Sequence, residues 1–190
     1  MHAIYKREMK SYFTSPIGYI VCSVMLLLLG LYFSYMYRNN YTNISFVFMS
    51  ISTIALLVCP IITMRLLSED KRQKVDQLLL TAPVKLWKII YGKFFAALTL
   101  FMLPFAMTFI YVFILMLSTS VNWLAFLADL LGIALLGSSI LAIGLFISAL
   151  TESQIIAGIF GIVVSFFIMQ IDYFSQSVDA TWFTNATTYI

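Results

Sequence analysis

Asp129 and Asp172 are carboxylates set within or at the edge of long apolar runs in a chain of 190 residues. An ionisable group in such a place marks a functional site by default, because burying it in hydrocarbon is costly. Two aspartates could share a proton and activate water. The Gly-x-Gly-Asp setting expected of an intramembrane aspartyl hydrolase is absent. Asp129 falls about two helical turns from Trp123, and Asp172 closes the last apolar run. Solvated, interfacial roles fit both better than catalysis. The only Gly-Lys is Gly92-Lys93, followed by Phe94, so no phosphate-cradling Gly-x-x-x-x-Gly-Lys-Ser/Thr loop is present and the chain is not expected to be an enzyme. His2 is the sole histidine, which leaves neither a histidine metal cluster nor a Ser-His pair. No cofactor is implied.

The densest charge lies elsewhere, in "RLLSEDKRQKVDQLLLTAPVKLWKIIYGKF", Arg65 to Phe94, which holds about half of the charged residues. Ser68 is placed to cap a helix whose first turn carries Glu69 and Asp70, where acids suit the positive end of the helix dipole. Asp70 with Lys74 and Glu69 with Arg72 have the spacing of helical pairs. Leu67, Leu78 and Leu79 supply apolar contacts, and Thr81-Ala82-Pro83 stops the helix. The segment 65–93 thus predicts a short helix-turn-helix outside the membrane, its first helix running from Ser68 to Leu80. Trp87 and Tyr91 then anchor the next element at the headgroup layer. A basic linker would fix topology as well, but would not need a capped helix with its own leucines.

The elements that hold this segment are membrane spans. The chain is 62% apolar and 10% charged, with a mean hydropathy of +0.99, whereas a soluble domain is about a quarter charged. Five runs are long enough to cross a bilayer core of about 30 Å: Ile17 to Tyr37, Ile44 to Met64, Phe94 to Leu117, Leu124 to Leu150, and Ile155 to Ile171. Ahead of them, Met1, Tyr5, Met9, Tyr12 and Phe13 form one face of a helix over 1–14, with Lys6, Arg7, Glu8, Lys10 and Ser11 opposite. That is the pattern of a helix lying in the interface, with Tyr5 and Tyr12 as anchors, and Trp123 anchors the far side. The first apolar run is expected to remain as an anchor, since no small-residue cleavage site follows it.

Ten lysines and arginines flank one side of these runs and only Arg38 the other, which puts the amino terminus and segment 65–93 in the cytoplasm and the tail 172–190 outside. No basic face of the kind that grips nucleic acid is present. Cys22 and Cys59 lie inside apolar runs as small hydrophobes. Ala134, Ser138 and Ala142, and likewise Ala157, Gly161 and Ser165, have the spacing of helix-packing stripes. Pro60 and Pro104 should kink their spans. Thr151 and Gln154 have the form of a capping box around Glu152.

Three stretches, "YKREMKSYFTSPIGYI", "PIITMRLLSEDKRQKVDQLLLTAPVKLWKIIYGKF" and "ISALTESQIIAGI", resemble in order and spacing the permease subunits of ABC-2 type transporters, most closely those associated with gliding motility. Lys74-Val75 stands where that family often has Gly-Thr. The resemblance implies a single all-α polytopic permease domain over 1–190 with an amino-terminal interfacial helix and a cytoplasmic coupling helix between the second and third spans. It also implies six spans where five are expected here, so that the sequence is either a piece of a longer chain or a shortened form. It implies export across the cytoplasmic membrane, driven by separate ABC ATPase subunits, and pairing with a second permease, identical or different. The coupling residues would be Glu69, Asp70, Arg72, Leu78 and Leu79, with Pro83 ending the element and Glu152 in a second ATPase-facing turn. The rival reading is a non-transporting scaffold that recruits a cytoplasmic protein through the charged loop.

Overall fold

A computed structural model describes residues 2–39, 41, 44–72, 86–117 and 122–177, with backbone alone for 86 and 171–177. The described elements are α1 (His2–Thr14), α2 (Pro16–Arg38), α3 (Ser45–Thr63), α4 (Ser68–Arg72), α5 (Leu86–Ala106), α6 (Thr108–Met116), α7 (Trp123–Leu150) and α8 (Gln154–Ser177). No strand occurs among the described residues. Helices suit so apolar a chain because they satisfy their own backbone groups where no water can.

Four stretches are long and apolar enough to cross a membrane: Pro16–Arg38, Ser45–Arg72, Trp87–Met116 and Trp123–Leu150. The fifth expected span coincides with α8, whose apolar portion Gln154–Gln170 is shorter. Helix α3 is central, packing against α2, α5, α7 and α8, with its largest interface to α7. Outward, Tyr19, Ile20, Leu27 and Leu31 of α2 and Phe166 and Phe167 of α8 are exposed, which is the surface a lipid solvent requires.

Glycines set how closely these helices approach. A Cβ at Gly137 would collide with the Phe101 ring, and one at Gly144 with Thr63. The packed small residues of α7 are therefore Gly137, Gly144 and Ser148, whereas Ala134 and Ser138 are half-buried and Ala142 is exposed. The expected α7 stripe is thus corrected by a rotation of the helix that places its glycines, the only residues able to admit bulky neighbours, at the contact. On α8 the expected Ala157, Gly161 and Ser165 are all buried, and Gly161 lies against the Pro60 ring of α3.

Pro104 is followed by a break between α5 and α6. Met107 N–H donates to Pro104 O at 3.1 Å and Ile110 N–H to Met107 O at 3.0 Å, tight turns that carry the chain from one helix into the next. Pro60 stays inside α3, and Met64 N–H donates to its carbonyl at 2.8 Å. Cys22 and Cys59 are both buried and free, as expected of small hydrophobes.

Candidate functional site: a buried ion cluster at one end of the bundle

Helix α5 turns Ile89, Lys93, Ala96, Ala97 and Leu100 toward the interior, at the i, i+4, i+7, i+8, i+11 spacing of one helical face. The lysine on that stripe is only 1% exposed. Burying an ammonium is tolerable only when opposite charge and hydrogen-bond acceptors surround it. Lys93 Nζ lies 2.7 Å from Asp70 Oδ2 of α4 and 3.1 Å from Glu8 Oε1 of α1, and it donates to Leu66 O at 2.5 Å. The side chains of Glu8 and Asp70 are themselves 11% and 16% exposed.

Arg7 covers this core from outside, donating to Glu8 Oε1 at 2.7 Å and standing 3.6 Å from Asp70 Oδ2. Burial works against the Arg7 charge, but the hydrogen bond to Glu8 and the fields of Glu8 and Asp70 outweigh it and raise its pKa. Asp70 Oδ2 is held by charge alone: among the described residues no donor reaches it with hydrogen-bond alignment, although the ammonium is within ion-pair distance.

Arg65, in the turn from α3 to α4, makes the second joint. Its Nε donates to Glu69 Oε2 at 2.9 Å, Nη1 to Ser15 Oγ at 2.7 Å and Nη2 to Ser11 Oγ at 3.4 Å. Its guanidinium also stands over the Tyr12 ring, 6.0 Å from the centroid. Tyr12 donates its hydroxyl to Ile62 O at 2.9 Å, and burial, then the Glu8 charge, pushes its phenol well above the ordinary range. It remains a donor. A Cβ at Gly18 would meet the Tyr12 carbonyl, so the α1–α2 corner closes only with glycine there. A cavity of about 240 Å³ lies among Arg7, Glu8, Ser11, Tyr12, Arg65 and Asp70.

A third joint ties α4 to α7. Ser148 Oγ accepts from Leu67 N–H and Ser68 N–H, each at 3.1 Å, and Lys71 Nζ donates to Ala149 O. The short α4 is thereby bonded to α1, α5 and the end of α7.

The candidate residues fall out as follows. Asp70 points inward to Lys93, and Glu69 to Arg65; Arg72 is exposed. Leu78, Leu79 and Pro83 lie outside the described residues, as does Lys74, the expected partner of Asp70. Ser68 is not a cap: its Oγ donates back to Met64 O, the habit of a serine within a helix. Glu152 is exposed in the α7–α8 turn, where Thr151 Oγ1 accepts from Ser153 N–H at 3.1 Å; α8 starts at Gln154, so the expected box is displaced. Trp87, Tyr91 and Trp123 are exposed on the outer surface.

Two of the expected interface anchors meet partners within the fold. Tyr12 is 2% exposed because its ring fills the corner beneath Arg65, and Tyr5 turns its hydroxyl to Thr99 Oγ1 at 3.1 Å. Glu8, expected on the polar side of α1, lies on the buried side between these tyrosines. Sequence reasoning treated Lys93 as a topology charge and missed its burial. The signal was available, since Lys93 sits in register with Ile89, Ala96, Ala97 and Leu100, and Glu8 sits one turn before Tyr12.

Among the described residues no group of His, Cys, Asp and Glu could hold a metal. The cluster's ion pairs and hydrogen bonds hold helices against one another at one end of a multi-pass, all-helical membrane protein. The chain matches the ABC-2 type transporter family over residues 1–186 and belongs to it. It is thus a membrane component of a transporter. Permease domains of this family are typically non-catalytic, generally pair with an ABC ATPase, and dimerise. Comparison with curated proteins and with solved structures found no match.

Proposed function

We propose that the chain is the permease subunit of an ATP-driven exporter in the cytoplasmic membrane, of the gliding-motility-associated kind, working as a pair with a second permease. The amino terminus and the charged end of the bundle face the cytoplasm, α8 is the fifth span, and α4 begins a coupling element that continues through Leu78 and Leu79 to Pro83. An ATPase contacts this element and the exposed Glu152 turn. The observation that carries the reading is the bonding of α4 to α1, α5 and α7 at once, so that a push on it is delivered to the bundle and not to a loose loop. Pairs of permeases would then open inward or outward by rigid-body motion. The export direction and the gliding-motility kinship rest on the sequence resemblance.

Copurification of the full chain from its native membrane tests this. A stoichiometric partner bearing a P-loop is expected, and a different partner or none would overturn the reading. Single cysteines at Lys74 and Asn40, in a chain lacking Cys22 and Cys59, should label from opposite faces of intact cells. Labelling of position 74 from outside would reverse the orientation.

A further inference from the structure

We infer that Lys93 is a positioning residue that clasps the amino-terminal helix α1 to α4, so that α1 belongs to the transmission apparatus and does not float independently in the interface. The inference deepens the proposed function, since its functional meaning depends on α4 receiving the ATPase stroke. Three elements distant in sequence each contribute one charge to the same point: Glu8 from α1, Asp70 from α4 and Lys93 from α5. The ammonium is 1% exposed and bridges both carboxylates, so removing it strands two acids at once, while loss of one acid weakens the tie to that acid's helix. Arg7 closes the outside of the same ring.

Of the charged residues expected to meet the ATPase, Asp70 is consequently assigned a different task. Its carboxylate faces inward and holds α1, leaving Arg72 and the segment beyond it for the partner. Arg65 works in the same direction, bonding the α3–α4 turn to Ser11 and Ser15 at the end of α1. A plain topology charge would need none of this, because a lysine at the same position pointing into the headgroups would satisfy the charge rule.

Backbone hydrogen exchange on the full chain in lipid nanodiscs, without any ATPase, reads the clasp directly. Lys93→Met keeps the bulk and removes the charge. It should speed exchange in α1 and α4 by about tenfold or more while the middle of α7 is unchanged. Asp70→Asn added to it should cost little beyond the single variant, because the two act as one unit. Glu8→Gln, which leaves Lys93 paired with Asp70, should loosen α1 several-fold and α4 hardly at all, and this variant carries the test if Lys93→Met does not fold. Unchanged α1 exchange, or effects of Lys93→Met and Asp70→Asn that simply multiply, would overturn the clasp. Loss of the clasp alongside a copurifying ATPase would leave the transporter reading intact. An intact clasp with no ATPase partner would refute that reading alone.

Discussion

The two ends of the bundle are held by different physics. At the charged end, α1, α4, α5 and α7 meet through buried ion pairs and through side-chain hydrogen bonds, the latter with a narrow range of distance and angle. At the other end, among the described residues, Ser45 Oγ donates to Asp129 Oδ2 at 2.5 Å within packing that is aliphatic and aromatic. Phe33 stacks on Tyr111 at 4.4 Å, and Phe48, Phe109 and Trp123 crowd around Phe126. Aromatic contacts are worth about 0.5–1.5 kcal/mol each and tolerate sliding. Under the proposed function the difference would suit a lever: polar ties where force would enter, and adaptable packing where a pathway would change shape.

Breaking the charged end should have the largest effect. Lys93→Met leaves Asp70 and Glu8 with only the partly exposed Arg7 as a cation, and a cost of about 3 kcal/mol is expected, measured by thermal unfolding in detergent. A change near zero would mean that the cluster is solvated and holds nothing. Arg65→Ala removes the ion pair to Glu69 and the bonds to both serines, and should cost about 2 kcal/mol, together with faster proteolysis between α1 and α2. Ser45→Ala at the opposite end should cost about 1 kcal/mol. An effect there equal to that of Lys93→Met would erase the contrast between the ends.

What was legible in the sequence follows from the range of the forces involved. Spans and charge asymmetry are properties of local composition, so the apolar runs of α2, α3, α5 with α6, and α7 stood out directly. Ala157, Gly161 and Ser165 were readable because spacing alone places them on one face. The cluster was not readable in the same way, since a charge beside a membrane has two solutions, solvation or a partner. Only the fold reveals that Glu8 and Asp70 arrive at Lys93 from 85 and 23 residues away in sequence. The same holds for Tyr12, which is an interface residue by type and a corner-filling residue by packing. On α7, small residues recur at several registers, and the neighbouring Phe101 and Thr63 select the glycines.

The central claim is that the charged end takes in the work of ATP hydrolysis, and apolar anchors should carry most of the docking energy, with exposed ion pairs contributing little. The direct measurement is hydrolysis by the copurified ATPase in proteoliposomes containing either the native chain or Leu78→Ala combined with Leu79→Ala, after detergent-resistant dimer formation has shown that the variant folds. Stimulation of hydrolysis by the native chain and its loss in the double variant, with a much smaller loss for Lys71→Ala, is the expected result. Unchanged stimulation by the double leucine variant would contradict the claim.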